Sequence, residues 1–547
     1  MGKTLLTTAL AAVCCIGAYA QYVADPAKNL SVTGVVSNYG NDVTVSKEGT
    51  LYSLLGVPYT DNENVFHLTQ KIQVLDKEGN KQLPDGGKDI DSPRNRTYTM
   101  VNQLMLTDND GNCLMVSSDC RNAAPNTNEL GYTIYKVDKN GNVLWQKDLA
   151  DGSVFPSVAM LSMIQTTDGG YVFAYSAFND SEETAMYIRI EKLTKDGEKA
   201  WADPILMQDT KTSYGYPYLV EAGDNQFMLI YARGSSLYLE AQLFDFDGTM
   251  MWQDPVSIYN GGFGSTPLQT KVYVMKAPEG AFVAWSDDRS YESVFSNYIS
   301  YVKKDGTLGF LGTANGMKIS YANNYSRQVP RLYYCDADQS LYAIYRQYNQ
   351  SYQNECGIYM QRISIDGELL WGPEGKAIEP IQTDHAVGYA TVQGAGGTDV
   401  AVFYQTNAFT GDDTKTYAMR MNADGDNVWK APLEVCTVTS EKSDLLSSEL
   451  IDGSYWILTW RDYRNSSNRF DDELFAQIVN ADGTLGGTPT AISTPQTVAT
   501  DGPADVYSLD GRIIKSVNGK KELNTMPNGV YIVKDKATSA TRKVTIK

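Results

Sequence analysis

The sequence predicts an all-β chain: a single β-propeller of about eight four-stranded blades, followed by a small C-terminal β-sandwich-like domain. Three observations predict it. An alternating strand, a glycine turn and, in most copies, a large apolar residue four positions after the glycine recur eight times along the chain. The turn glycines Gly79, Gly141, Gly197, Gly248, Gly306, Gly367, Gly425 and Gly483 are separated by 62, 56, 51, 58, 61, 58 and 58 residues, the regularity of repeated supersecondary units. Beyond Gly487 the composition turns to Thr, Pro, Ser and Ala, and then to a basic segment with its own strand pattern.

The clearest copies are Gly141/Trp145, Gly197/Trp201, Gly248/Trp252, Gly367/Trp371 and Gly425/Trp429; Gly306/Phe310 is a near copy, and Gly79/Leu83 and Gly483/Gly487 are worn ones. Glycine accepts the positive φ of a hairpin turn, and the Asn or Asp beside it, as in Asn140-Gly141 and Asp247-Gly248, folds onto the local backbone. A Tyr/Ile/Val strand precedes each turn, as in Tyr187 to Ile190. About 20 residues earlier lies another, such as Tyr171 to Tyr175 or Trp456 to Trp460, apolar on both faces and so buried on both. With the strand before it, each repeat is a meander of strands A, B, C and D. One such sheet cannot bury two apolar faces alone, whereas a ring of them can. A β-helix has a shorter period, immunoglobulin-like arrays have units of roughly 90 residues or more, and two propellers need a linker mid-chain. Strand A is expected to line a central channel, and Trp145, Trp201, Trp252, Trp371 and Trp429 to occupy equivalent buried positions between blades. The worn first repeat leaves seven blades as the alternative count, and Leu30 to Val36 is available as a closing strand for the last blade.

Residues 1–20 read as a signal peptide: Lys3, an apolar run from Leu5 to Gly17, and Ala18-Tyr19-Ala20 before Gln21. The lipoprotein alternative at Cys14 or Cys15 lacks the small residue its cleavage site prefers. No later stretch has the length of a membrane span. The propeller is assigned to 21–487, a linker to 488–504 and the C-terminal domain to 505–547. Cys113, Cys120, Cys335, Cys356 and Cys436 remain after cleavage, an odd count without a Cys-x-x-Cys pair, read as small buried hydrophobes. With only His67 and His385 in the chain, no metal and no cofactor is assigned. The net charge of −19 argues against nucleic acid and anionic membranes as partners. From Asp505 onward nine Lys/Arg face four acids, so this segment is basic while the rest carries −24.

The C-terminal segment has a tyrosine strand from Val506, then Asp510-Gly511-Arg512, a leucine and proline stretch from Leu523 to Pro527, Asn528-Gly529-Val530-Tyr531-Ile532-Val533-Lys534, and a basic last strand with Lys543. In that order these motifs, with Tyr507 on the first strand, resemble the C-terminal sorting domain of type IX (Por) secretion substrates over about the last 45 residues. The resemblance implies a Gram-negative source, passage through the periplasm, the type IX machinery as partner, and delivery to the cell surface or release. The propeller is also similar to uncharacterised surface proteins of such bacteria, a likeness that implies no activity.

Candidate chemistry is sparse. Sialidase propellers carry Asp-x-Gly-x-x-Trp boxes; here Trp follows Gly by four, so the repeats read as structural turns. Asp108-Asn109-Asp110-Gly111-Asn112 opens like a calcium loop but lacks Glu at the twelfth position and reads as a hairpin. His385 opens the seventh repeat and reads as a structural or solvated histidine, with a place facing the central funnel as the alternative. Trp285-Ser286-Asp287-Asp288-Arg289 and Trp460-Arg461-Asp462-Tyr463-Arg464 recur after strand B, with echoes at Tyr345-Arg346 and Ser118 to Arg121, and read as Asp–Arg corners fixing the B-to-C loop. Two D-to-A entry loops are tyrosine-rich, and Tyr214, Tyr216, Tyr218, Tyr321, Tyr325 and Arg327 are the expected ligand-binding residues of one aromatic rim surface. The function expected is an exported surface or released binding protein whose rim engages a glycan or a protein. The alternative is a propeller enzyme acting on polysaccharide, sialidase-like or lyase-like.

Overall fold

The computed structural model describes residues 21–36, 41–60, 66–90, 104–119, 131–149, 155–178, 185–209, 211–234, 238–261, 272–289, 294–310, 314–321, 324–409, 411–466, 471–487, 503–508, 512–518, 520–523, 525–527, 529–536 and 541–546. The leader reading of 1–20 lies outside them, as do Cys120, Arg121, Asp510 and Gly511. The chain forms two compact units, divided at Gly486/Gly487.

The first unit is a propeller of eight blades, each an antiparallel sheet in A-B-C-D order. The A strands are Asn41–Val45, Leu104–Thr107, Phe155–Gln165, Tyr214–Gly223, Val272–Ala277, the split pair Tyr325–Arg327 and Arg331–Cys335, Ala386–Gly394, and Lys442–Ser447. A strands of neighbouring blades approach one another. They line a channel: a cavity of about 720 Å³ is walled by Thr44, Leu106, Gln165, Glu221, Gln393 and Leu446, from six different blades. The worn first repeat is a full blade. Leu30–Ser31 supplies the eighth blade's D strand, with Leu30 opposite Ala476 and Ser31 opposite Phe475, which removes the ring's open edge.

All eight turn glycines have φ between 72° and 93°, as the hairpin reading requires. Each turn is three residues with the glycine as a bulge, so Gly197 N–H donates to Thr194 C=O and Thr194 N–H to Glu198 C=O. The side chain that folds back differs from the expectation in several blades. Asp76, Asp138, Asp245 and Asn422, three residues before their glycines, accept the local amides there. Asp305 and Asp482, directly before glycine, do so in the fifth and eighth blades.

The repeat tryptophans are equivalent, but half-buried rather than buried, because the C-to-D turn sits at the outer edge of each sheet. Each indole N–H donates to the carbonyl two residues before the next blade's turn glycine: Trp145 to Lys195 (3.0 Å), Trp201 to Phe246 (3.0 Å), Trp252 to Lys304 (2.9 Å), Trp371 to Ala423 (3.0 Å) and Trp429 to Ala481 (3.4 Å). In three blades a strand C cation reaches the same carbonyl. Lys192 bonds Phe246 C=O, Arg362 bonds Ala423 C=O and Arg420 bonds Ala481 C=O, each cation held by an A-to-B turn carboxylate, Asp168, Asp338 or Asp399. Indole, cation and carboxylate thus clasp one blade to the next. At the closing seam Gly487 has no such side chain, and Leu30 and Tyr22 lie over Gly79 instead. Replacing Trp371 by Phe keeps the ring and removes its hydrogen bond. It should lower stability by about 1 kcal/mol, and Trp371→Ala by less than the roughly 3 to 5 kcal/mol of a fully buried aromatic. Matched denaturation midpoints check this, and an unchanged midpoint in Trp371→Phe would deny the bond a role.

The described residues of the second unit form one antiparallel sheet, ordered Ile513–Val517, Ala504–Tyr507, Gly529–Asp535, Thr541–Ile546. Its apolar residues Ala504, Val506, Val517 and Val533 pack with Leu523 and Met526, from the helical turn Lys520–Leu523 and the segment after it. Among the sorting-motif residues, Tyr507 is half-buried, Arg512 and Lys534 are exposed, and Tyr531 OH donates to Pro527 C=O (2.8 Å). Gly529 and Val530 open the third strand of the sheet, and Lys543 lies on the last.

Candidate functional groove

A concave groove of about 1060 Å³ runs along the seventh blade. Its walls come from strands B, C and D of that blade, Val400–Asn407, Lys415–Met421 and Leu433–Cys436, with the sixth blade's D strand, Lys376–Gln382, beside them and with Ala24, Pro26 and the eighth blade's Thr484 and Leu485. Tyr404 and Tyr417 are a cross-strand pair, which places their rings on one face. The rings stack, with centroids 5.4 Å apart and planes at 24°. Tyr404 is only 2 % exposed, and Tyr417 is half-buried. Glu434 stands opposite Tyr417 in the next strand.

The entry loop between the sixth and seventh blades is pinned by Gln382. Its carboxamide accepts the amides of Asp384 (2.6 Å) and His385 (3.0 Å) and donates to His385 C=O (2.7 Å). His385 therefore faces this groove, with Nε2 3.3 Å from Oε1 of Glu379. Burial raises the Tyr404 phenol far above its ordinary range, and Glu379 adds to the rise; burial followed by Glu434 raises Tyr417. Both hydroxyls stay protonated through neutral pH and can donate hydrogen bonds. Asp384, Asp413, Asn407, Thr406 and Lys415 complete the polar wall. The half-buried Tyr417 ring, backed by Tyr404 and set beside acceptor oxygens and one ammonium, suits a polyhydroxyl ligand. Among the described lining residues there is no arginine.

The expected rim residues are not gathered into one surface. Tyr214 packs 5.8 Å from Tyr231 in the cluster between the third and fourth blades. Tyr216 is buried and Tyr218 half-buried against the cluster between the fourth and fifth. The cause is a bulge: pairing slips between Gly215 and Tyr218, with Tyr216 at φ 53°. Of the later group only Tyr321 is largely open, 48 % exposed. Tyr325 OH donates to Glu355 (2.8 Å), while Arg327, 1 % exposed, bonds Gln347 Oε1 (3.0 Å) and Tyr325 C=O (3.1 Å).

The two tryptophan corners are structural, as read. Asp287 accepts Trp285 Nε1 (2.8 Å) and the Arg289 guanidinium, whose carbon lies 3.6 Å from the Tyr298 ring centre. Asp462 repeats this with Trp460 Nε1 (3.0 Å) and Arg464 (2.5 Å). The echo at Arg346 instead bonds Gln353 C=O. Asp108 closes the hairpin read as the alternative to a calcium loop, with Oδ2 taken by Lys136 and Tyr171. Cys113, Cys335, Cys356 and Cys436 are buried free thiols. Sequence reading missed the groove tyrosines because Val400 to Tyr404 reads as a strand buried on both faces. The available signal was polar Thr406, Lys415 and Glu434 on neighbouring strands of one blade.

No protein-family model matches the chain, and no curated protein does. Among solved structures, a Penicillium chrysogenum α-L-arabinanase complexed with arabinobiose aligns at 13 % identity and TM-score 0.34 over 60 % of this chain and 94 % of its own. The GH93 α-L-arabinofuranosidase of Fusarium graminearum aligns at 14 % and 0.35 over 61 % and 94 %. Prolyl oligopeptidase B of Galerina marginata aligns at 13 % and 0.42 over 80 % and 56 %. Likenesses of this size carry no argument about activity.

Proposed function

We propose that the protein is an exported, surface-held or released binding protein whose propeller takes a saccharide in the seventh-blade groove. The observation that carries this reading is the stacked Tyr404–Tyr417 pair inside a cavity of about 1060 Å³, bordered by carboxylates and a lysine. Tyr417→Ala should weaken binding about tenfold or more while the chain stays folded with a modestly lowered unfolding midpoint, since Tyr417 is only half-buried. Calorimetry on oligosaccharides found by a glycan array measures it. Unchanged affinity in the variant would place binding elsewhere.

A second reading is hydrolysis of a polysaccharide in the same groove, favoured by the four carboxylates Glu379, Asp384, Asp413 and Glu434 on its wall, the residue type that supplies acid and base in glycoside cleavage. Release of reducing sugar from a bound polysaccharide, abolished by one carboxylate-to-amide change, would establish it. Binding without turnover would leave the first reading. A sialidase-like version gains no support from a wall without arginine among the described residues.

Export is the other half of the proposal. It is supported by the leader pattern of residues 1–20 and by the resemblance of residues 505–547 to a sorting domain. Deleting Asp505 to Lys547 should leave the propeller folded and hold it in the periplasm of a host with type IX secretion. Surface delivery of the truncated chain would refute the sorting role.

A further inference from the structure

Resting on the groove reading above, we propose that the groove selects uncharged saccharides and rejects acidic ones such as uronates and sialates. Four carboxylates line it, Glu379, Asp384, Asp413 and Glu434. The basic groups among the described lining residues are Lys415 and His385, and His385 already sits 3.3 Å from Glu379. A ligand carboxylate entering here meets like charges and no guanidinium fork, the group whose geometry suits a carboxylate. Rejection therefore comes from repulsion built into the wall as well as from a missing partner. An uncharged sugar meets neither obstacle. Its hydroxyls donate to the wall carboxylates and accept from the tyrosine hydroxyls, and its ring face lies on an aromatic plane. The rest of the chain reinforces the sign, since residues before Asp505 carry −24, a field that lowers the local concentration of any anion.

The test uses the full mature chain, a panel of neutral oligosaccharides and the matching panel oxidised to uronates, with dissociation constants measured at low and high salt. The expected result is binding of the neutral members and at least tenfold weaker binding of their uronates. That gap should narrow at high salt, where charges are screened, and in the double variant Asp384→Asn/Glu434→Gln. Uronates binding the wild-type chain as tightly as the neutral sugars, or more tightly, would overturn the selectivity even with the groove confirmed by Tyr417→Ala. Neutral binding that ignores Tyr417→Ala would overturn the groove reading itself. Binding of neither panel would overturn both.

Discussion

Replacing Lys136 with methionine is expected to destabilise the propeller by about 3 to 5 kcal/mol, the usual cost of removing one partner from a buried ion pair. Lys136 Nζ lies 2.9 Å from Oδ2 of Asp108, whose side chain has no exposed surface, and 3.0 Å from the Tyr171 hydroxyl, which itself donates to Asp108. The trio joins the second blade to the third. With the ammonium gone, the Asp108 carboxylate stays buried with only Tyr171 and its own turn amides to offset it. The double variant Lys136→Met/Asp108→Asn should recover part of the loss, because no charge is then stranded; denaturant midpoints of the four members of the cycle measure the coupling. A loss under about 1 kcal/mol in the single variant would mean that water reaches the carboxylate. The same group sets an acid limit. Burial pushes the Asp108 carboxyl up, but Lys136, the Asn112 amide and Tyr171 outweigh it and hold it below the usual carboxylate range; Arg464 and Lys442 do the same for buried Asp462. A carboxyl depressed in the fold contributes stability that is present above its unfolded value near pH 4 and is lost as pH falls through the lower folded value. Stability should therefore decline on acidification below about pH 4, and less steeply in Asp108→Asn.

Removing Gln21 to Val36 should have the largest effect of all, loss of about 5 kcal/mol or more from burial alone. Tyr22 and Val32 are buried in the cluster between the eighth and first blades, and Leu30 packs against it. Gln477 donates to Val23 C=O, and Gln21 N–H to Glu78 C=O, so the deletion also strands polar groups on both blades. The edge strand Glu473–Asn480 would then be free to pair with another chain. A sedimentation profile with dimers or aggregates and a lowered unfolding midpoint is the expected outcome. An unchanged midpoint would mean that the ring is held by its seven other seams.

The ring was legible because its signal repeats. Glycine at a bulge recurs eight times, with an aromatic residue four later in six of them, and the recurrence outweighs the worn ends. The clasp was not, although Lys136, Lys192, Arg362 and Arg420 all stand five residues before their turn glycines. A lone cation on a strand reads as a solvated side chain until its carboxylate, distant in sequence, is placed beside it. Burial of tryptophan was misjudged for a related reason. Trp145 and its equivalents mark the turns, whereas the fully buried indoles Trp285, Trp456 and Trp460 lie on B strands enclosed on both faces. The same two-sided enclosure defeated the rim tyrosines: Tyr214 and Tyr216 sit where a neighbouring blade covers them. Facing direction depends on a bulge that no residue type announces.

The borrowed strand at the closing seam governs the order of events in folding. Ser31 finds its partner strand 442 residues later, at Glu473, whereas other blades form from neighbouring hairpins. Closing so long a loop adds little free energy beyond closing a shorter one, since the entropic cost rises only with the logarithm of length. Its demand is on time: contacts so far apart in sequence are reached late. The chain cannot lock until its last blade has been made, and until then the first blade and every unfinished intermediate carry an unpaired edge. A circular permutant that starts at Asn41 and carries residues 21–36 after the eighth blade would turn this closure into a local hairpin. It should reach the same ring by a faster final phase.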